Sequence, residues 1–411
     1  MIIRNITTDR TLEAVRVSAK VEWEDSDREV ADVYFQTSPD FADFLSVQPH
    51  TFLIGGILPA FHHGERRLRV EGEACPQLVR SVKEVVLFLK SWYRIPRPAI
   101  VVEVQTRSCL AQPPRPQATA AFLSGGVDSL ATLRLNRREC AATTPEFILY
   151  GLLVYGFDIA WSPDAPVKRE TFDRAMATMT SVATETGLTL IPLATNIRHL
   201  DPDVEFWVHQ FHGAALGAVA HSLSNRINRT VIASTFDIQH LEPWGSHPLI
   251  DPRYSSCDHS ILHDGVALSR LDKARIISEW DCALQNLRVC TTNPPGELNC
   301  GSCEKCLRTM TELLALGVLD RTIAFGRRPL TVDALSGLEI TNTYQASCYR
   351  EAVPLLRDRG HRAVAECIDA KLTSFLVKRN QPQKTPWKTR IRKADEALLG
   401  GRLTRLWRGV S

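Results

Sequence analysis

The stretch Ser124–Ser129, with the sequence SGGVDS, decides the fold expected for this 411-residue chain. An apolar run, Ala118 to Leu123, precedes it, and Leu130 to Arg138 follows with helix-like composition. A strand, a glycine turn and a helix form a geometry that binds phosphate. Glycine lets backbone N–H groups approach an anion, and the helix N-terminus adds positive potential. The candidate phosphate-binding residues are Ser124, Gly125, Gly126, Val127, Asp128 and Ser129.

Asp128 is an unusual neighbour for a phosphate unless a divalent cation or a structural hydrogen bond offsets its charge. The loop is not a Walker loop, which requires GxxxxGK[ST] with a lysine on the terminal phosphates. SGGVDS after a buried strand resembles instead the PP-loop of the ATP pyrophosphatases, which cleave ATP between its α and β phosphates. The resemblance implies ATP and Mg²⁺ as cofactors, with Asp128 as a magnesium ligand. The alternative is a strand–helix turn without a ligand.

Four cysteines downstream form a second pattern: Cys290, Cys300, Cys303 and Cys306. The last three belong to CGSCEKC, in which two CxxC units interlock, so four thiolates can surround one tetrahedral Zn²⁺. A closed four-thiolate site has no open position, which predicts a structural role. An iron–sulfur cluster and scattered core cysteines are the alternatives. A redox disulfide is less favoured, because three closely spaced cysteines leave one unpaired.

Strands and helices alternate from residue 118 onward, which predicts an α/β fold with a doubly wound parallel sheet and helices on both faces. The expected strands are Phe147–Tyr155, Leu188–Leu193 and Thr230–Ser234, and the expected helices are Val167–Thr186 and Trp207–Ser224. Ligands in this architecture bind beyond the carboxyl ends of the strands. Asp158, at the end of the second strand, is therefore a candidate nucleotide-binding residue.

The chain is predicted to contain several regions. Residues 1–111 form an N-terminal α+β accessory domain, in which strands are expected near residues 15–23, 30–35 and 99–104 and a helix near 81–93. A proline-rich linker spans 112–118, and the nucleotide-binding domain spans 119–330 with its four-cysteine zinc site at 290–306. Residues 331–411 form a C-terminal helical region that ends in a basic tail.

The composition is that of an ordinary globular protein, with 44% hydrophobic and 23% charged residues. The net charge of +3 is too small to indicate nucleic-acid binding by itself. The basic tail, 378–411, is interpreted as a contact for RNA, an acidic partner or a membrane surface, or as a solvated helix packed on the body. Met1 to Arg10 lacks the apolar core of a signal peptide, and no apolar run is long enough for a membrane span. We therefore expect a cytoplasmic location.

The two motifs in this order resemble the 7-cyano-7-deazaguanine synthase family over residues 119–316, about half the chain. The SGGVDS loop, the segment Leu152–Asp158, the segment Ser269–Ile276 and the four cysteines carry the resemblance, and Lys273 matches the family lysine. The family's substrate segment is replaced by Phe236–Pro248, where only Asp237 matches. The recurring arginine after the last cysteine appears one place early, as Arg308, and residues 1–110 have no counterpart.

The resemblance implies an ATP-dependent ligase that adenylates a carboxylate like 7-carboxy-7-deazaguanine and releases AMP and pyrophosphate. The activated acid then forms an amide or a nitrile with ammonia, or joins an amine on a protein or another molecule. Lys273 and Asp128 are the catalytic candidates, and a surface lysine is the alternative for Lys273. The extra N-terminal region favours a macromolecular amine acceptor or protein partner, and a homodimer is a further expectation.

Two other function classes remain open. A tRNA-thiolation enzyme of the PP-loop class would need a reactive cysteine near the loop, which would have to be Cys257 or Cys282. A non-catalytic nucleotide-binding scaffold would retain the fold without turnover. The intact SGGVDS loop is evidence against such a scaffold, since a degenerate site is free to lose a glycine or the aspartate.

Overall fold

The computed structural model of the chain describes residues 1–108, 118–159, 169–292 and 294–380. The predicted linker 112–118 lies outside this part of the chain except for Ala118. The first residues of the helix expected from Val167 and nearly all of the basic tail also lie outside it.

The described residues contain a single ten-stranded sheet. Its strands are β1 Ile2–Arg10, β2 Val15–Glu22, β3 Ala31–Thr37, β4 Arg67–Ala74, β5 Val101–Thr106, β6 Thr119–Phe122, β7 Ile148–Tyr155, β8 Thr189–Thr195, β9 Arg229–Ala233 and β10 Ser260–Asp264. Their spatial order is β10-β9-β6-β7-β8-β3-β2-β1-β4-β5. The five strands from β10 to β8 pair in parallel throughout. The predicted α/β class with a largely parallel sheet is confirmed.

Helices cover the sheet. They are α1 His50–His62, α2 Pro76–Tyr93, α3 Val127–Glu139, α4 Arg169–Thr186, α5 Val204–Phe206, α6 His212–Ser222, α7 Arg270–Ser278, α8 Asp281–Gln285, α9 Glu304–Leu316, α10 Thr343–Asp358 and α11 Arg362–Asn380. A π-helical turn, Trp207–Phe211, joins α5 to α6. Short 3₁₀ turns occupy Pro39–Phe44, Ile197–Leu200, Ile238–His240, Asp251–Tyr254 and Leu319–Arg321.

The central strands place successive side chains into two different hydrophobic cores, as the alternation of a pleated strand requires. Ala120 and Leu152 belong to the first core, which also contains α1, α2 and α6. Ala121 and Leu153 belong to the second core, formed with α3, α4 and the helices from α7 to α11. Helices therefore pack on both faces of the sheet, as the alternation of strands and helices predicted.

The N-terminal strands extend the same sheet. Strand β3 pairs antiparallel with β8, with Phe35 opposite Thr195. Helix α1, buried along almost its whole length, packs against α6 in the first core. A Cβ at Gly55 of α1 would lie 2.7 Å from Cδ1 of Ile197, so α1 also approaches the 3₁₀ turn Ile197–Leu200 closely. Residues 1–106 thus share their sheet and core with the rest of the chain, while the boundary at 112–118 stays a prediction.

Candidate functional site

The SGGVDS loop connects β6 to α3 in a compact turn. Gly125 has a φ of +80°, and a Cβ there would lie 3.0 Å from Met179 Cε and 3.1 Å from Arg288 Cβ. Gly126 is the N-cap of α3, and its N–H donates to Ser124 Oγ at 3.3 Å. The Ser129 hydroxyl donates to Gly126 O at 3.0 Å. The first N–H groups of α3, which have no partner within the helix, therefore face the carboxyl edge of the sheet.

Two adjoining cavities lie at this edge. The larger, of about 280 Å³, has mainly apolar walls that include Leu152, Phe157, Trp207 and Ile232. The smaller, of about 140 Å³, has polar and charged walls. The residues that line both are Ser124, Asp128, Asp158, Thr235 and Arg288. The loop and Asp158, singled out from the sequence, thus meet in one crevice.

Four basic side chains surround the smaller cavity, against the two carboxylates Asp128 and Asp158. Three of them, Arg270, Arg288 and Arg308, are only 7–8% exposed, and Lys305 is exposed. Desolvated guanidinium groups are costly unless anions pair with them, and they bind phosphate with fixed, forked donors. Arg270 and Arg308 also pair with Glu312 and Glu304, which do not line the cavity, and the positive charge that remains suits an anionic ligand. We therefore call this smaller pocket the cationic cavity and the larger one the apolar cavity.

Asp128 is held by two cations. Arg270 Nη1 lies 3.2 Å from both carboxylate oxygens, and Lys273 Nζ lies 3.7 Å from Oδ1. Arg270 also contacts the buried carboxylate of Glu312 at 3.2 Å and donates to Thr309 Oγ1 at 3.1 Å. Burial lowers the pKa of Arg270, but Glu312 and Asp128 outweigh burial and raise that pKa above its usual range. The ion pair with Arg270 thus offsets the negative charge of Asp128, the charge that makes an aspartate unusual in a phosphate-binding loop.

Lys273 is 2% exposed, so the alternative of a surface lysine is wrong. Its ammonium donates to Ser234 O, just beyond β9, at 2.6 Å. Burial lowers the pKa of Lys273, and Asp128 partly counters this. The residues that line the two cavities include Asp128 but not Lys273. Lys273 therefore acts on the cavities indirectly, through its contact with Asp128 on their wall.

Asp158 reaches the crevice because of a tight turn after β7. Gly156 has a φ of +110°, and a Cβ there would lie 1.8 Å from Thr195 O, which leaves no room for a side chain. The Gly156 N–H donates to Ile159 O at 2.8 Å and closes the turn. Asp158 then lies on the wall shared by the two cavities.

The four predicted cysteine ligands converge on one point. Cys290 Sγ lies 3.8 Å from Cys303 Sγ, Cys300 Sγ lies 3.9 Å from Cys306 Sγ, and all four sulfurs lie within 4.8 Å of one another. Zinc–sulfur bonds of about 2.3 Å in a tetrahedron separate the sulfurs by about 3.8 Å. An iron–sulfur cluster would attach its thiolates to different irons and hold them further apart. The group therefore fits one tetrahedral ion such as Zn²⁺.

The cysteine cluster supports the cationic cavity directly. Cys290 lies on the cavity wall, and the preceding Arg288 donates its N–H to Gly125 O at 2.8 Å. The side-chain oxygen of Asn299 accepts from Val289 N and Cys290 N, which fixes this segment. Cys303 is the N-cap of α9, the helix that carries Arg308. A bound metal would thus position Arg288 and Arg308 beside the loop.

Sequence reasoning missed Arg270 and Arg288 as site residues and noted Arg308 only through the family resemblance. The available signal was their spacing, since Arg270 lies three residues before Lys273 and Arg288 two before Cys290. Tyr344, also missed, lies on the cationic cavity, and its hydroxyl donates to Thr235 O at 2.8 Å.

No helix in the described part of the chain is both long enough and apolar enough to cross a membrane. Comparison of the chain with protein-family models, with curated proteins and with solved structures found no match.

Proposed function

We propose that the chain is an ATP-dependent ligase that adenylates a carboxylate and transfers the acyl group to a nitrogen nucleophile. The observation that carries the proposal is the pair of cavities beside the SGGVDS loop, one apolar and one lined by three buried arginines. A nucleoside triphosphate has the same division, with a flat base at one end and a chain of anions at the other.

The adenine ring would occupy the apolar cavity, where Trp207 and Phe157 supply aromatic surface. The triphosphate would extend past Ser124 into the cationic cavity. There the N-terminus of α3 and the guanidinium groups of Arg270, Arg288 and Arg308 bind phosphate oxygens. Asp128 and Asp158 are the carboxylates that would hold Mg²⁺, which supplies further shielding of phosphate charge when bound.

In the first step, a carboxylate oxygen of the substrate forms a bond to the α-phosphorus, and the bond from that phosphorus to the bridging oxygen breaks. Pyrophosphate leaves with the electron pair. In the second step, the nitrogen nucleophile bonds to the acyl carbon, AMP leaves, and the nitrogen loses a proton. The arginines stabilise the charge that accumulates on the departing pyrophosphate, the kind of contribution that lowers a barrier most.

The acid is proposed to be a flat heterocycle like 7-carboxy-7-deazaguanine. Phe236 and Trp244, from the segment that departs from the family pattern, form a small cluster with Tyr344, whose ring lies 4.7 Å from that of Phe236. Tyr344 also lines the cationic cavity, where the phosphates and the acid would meet. The ring of Tyr344, which Phe236 and Trp244 support from behind, favours a planar ring over an aliphatic acid.

The positions of Cys257 and Cys282 favour the ligase over tRNA thiolation. Cys257 precedes β10, which runs parallel to β9, so it lies at the opposite edge of the sheet from the loop. Burial and the neighbouring Glu185 raise the pKa of Cys282 to about 11, which disfavours the reactive thiolate.

The test is ATP turnover with 7-carboxy-7-deazaguanine and ammonia, with mass spectrometry of nucleotide and heterocycle. AMP, pyrophosphate and an amide are the expected products; a nitrile would form if a second ATP adenylates the amide oxygen, which then leaves with AMP as the nitrogen loses its two protons. AMP with a stalled acyl adenylate would keep the activation step and redirect the search to a macromolecular amine. ATP binding without turnover, over a panel of planar acids, would favour the non-catalytic scaffold instead.

A further inference from the structure

A cluster of two histidines and a carboxylate lies away from the cysteines, where α1 ends against the segment before α5. His62 Nδ1 lies 2.5 Å and His63 Nε2 lies 3.0 Å from the same carboxylate oxygen, Asp201 Oδ2. The three ligand atoms lie within 4.8 Å of one another. Two adjacent residues at the end of one helix thus converge on an oxygen almost 140 positions away in the chain.

The orientation of each group is fixed by its neighbours. The His62 ring stacks on Phe206 at 4.0 Å with an interplanar angle of 7°, and His63 packs edge-on against Trp23 at 5.1 Å. The other oxygen of the buried Asp201 carboxylate accepts from Asp203 N at 3.0 Å. Such outer contacts commonly orient metal ligands.

We propose that His62, His63 and Asp201 bind a divalent transition metal ion such as Zn²⁺, with water in the remaining coordination positions. Two imidazoles and one carboxylate are a ligand set that suits Zn²⁺ and its neighbours in the series. The side chains of His62 and His63 are 31% and 20% exposed, so the cluster lies close to the surface, although His63 Nε2 and the Asp201 carboxylate are themselves buried.

The present distances require little rearrangement for metal binding. Bonds of about 2.0–2.2 Å in a tetrahedron separate ligand atoms by about 3.3–3.5 Å. The distance from His62 Nδ1 to Asp201 Oδ2 would lengthen by about 1 Å, and that from His63 Nε2 to the same oxygen by less, because the metal replaces the protons between these atoms. Arg28, whose guanidinium lies over the Trp23 ring at 4.8 Å, adds positive charge nearby. We therefore expect weaker binding here than at the cysteines.

This second site would connect the N-terminal region to the wall of the apolar cavity. The backbone N–H of Asp203 donates to Asp201. The side chain of Asp203 caps α5 by accepting from Glu205 N and Phe206 N. The residue after Phe206, Trp207, begins the π-helical turn and lines the apolar cavity. A metal at His62, His63 and Asp201 would therefore restrain the segment that positions Trp207.

The test is a Co²⁺ titration of the purified full chain after it has been loaded with one equivalent of Zn²⁺, followed by visible absorption and by metal content per chain. The wild type is expected to bind one Co²⁺ with d–d absorption but without thiolate-to-cobalt charge transfer, and to melt at a higher temperature when Co²⁺ is present. His63→Gln keeps an N–H donor for Asp201 but removes the imidazole, so it should fold normally and lose this ion. His361→Ala, a histidine between α10 and α11, is the matched control and should bind like the wild type.

Equal Co²⁺ binding by the wild type, His63→Gln and the double variant His62→Ala/His63→Ala would overturn the proposal. Absence of the thiolate-free absorption in the wild type would also overturn it and leave a purely hydrogen-bonded cluster. Because the readout is the difference of one ion between variants, it does not depend on the ligase activity or on the occupancy of the cysteine site.

Discussion

Arg270→Met removes both roles that the contacts of Arg270 indicate, one in stability and one in ATP turnover. The guanidinium neutralises the buried Glu312 at 3.2 Å and holds Asp128 at 3.2 Å on the wall of the cationic cavity. Removing one partner of a buried ion pair costs about 3–5 kcal/mol, because the other charge stays desolvated. Removing a guanidinium that stabilises a departing phosphate is expected to lower turnover by about 10²–10³-fold. The single variant should therefore be both less stable and nearly inactive.

The double variant Arg270→Met/Glu312→Gln distinguishes these effects. A neutral amide at position 312 no longer needs a cation, so most of the lost unfolding free energy should return in urea denaturation. The turnover of ATP should remain low, because the phosphate contact is still missing. Arg275→Met is the matched control on the same helix, where an exposed pair with Asp272 contributes less than about 1 kcal/mol.

The stability loss should also depend on pH. Burial raises the pKa of Glu312 in the folded chain, and loss of Arg270 raises it further. A carboxyl group with a raised folded pKa binds more protons when folded, so its contribution to stability falls as pH rises past the unfolded value. The deficit of Arg270→Met should therefore shrink as the pH is lowered from about 8 toward about 5, and Glu312→Gln should remove this dependence. Wild-type turnover in the double variant, or a pH-independent deficit in the single one, would contradict these two roles of Arg270.

Three further predictions concern neighbouring parts of the site. Gly156→Ala should destabilise the chain by about 1–3 kcal/mol or more, because its φ is positive and the Cβ would collide with Thr195 O; an unchanged melting temperature would contradict this. Lys273→Ala should lower kcat more than it changes the KM for ATP, since it acts through Asp128, and Lys273→Arg should restore part of the rate; a loss confined to KM would point to direct phosphate binding. Cys303→Ser should lose one metal ion per chain and most ATP turnover together, because the metal would position Arg288 and Arg308. Full ATP turnover without the ion would show that the cysteine cluster does not support the cationic cavity.

Much of the sheet could be predicted from local patterns. The apolar runs that became β7, β8 and β9 are bounded by turn residues, and the expected strands match them within one or two residues. Residues 15–23, 30–35 and 99–104 likewise overlap β2, β3 and β5. Short apolar runs between polar turns are the signal that sequence alone carries best.

Other elements could not be predicted because distant contacts decide them. Helix α1 is apolar on all sides and contains Gly55, Gly56 and Pro59, which disfavour a helix locally; burial against α6 and β4 overrides that preference. Strand β10 contains Ser260, His263 and Asp264, and only its pairing with β9 makes it a strand. The antiparallel pairing of β3 with β8 is equally non-local, so the shared sheet could not be foreseen.

The same distinction applies to the candidate site. The SGGVDS loop and the cysteine cluster are contiguous or regularly spaced motifs, so the sequence identifies them. The cationic cavity instead collects Arg270, Arg288 and Arg308 from three separate segments. Their common position depends on α7 and α9 packing beside the loop, which no local pattern encodes. The pairing of Asp128 with Arg270, rather than with a metal alone, follows from that packing.

Identification of the bond cleaved in ATP would decide whether the two cavities serve adenylation. Wild-type protein, ATP, Mg²⁺ and 7-carboxy-7-deazaguanine would be incubated with ammonia, and the phosphate products resolved by ³¹P NMR, with Arg308→Ala as the site-directed control. We expect AMP and pyrophosphate that appear only with the acid and fall sharply in the variant. Release of ADP and inorganic phosphate, or AMP formation that Arg308→Ala leaves unchanged, would contradict this expectation.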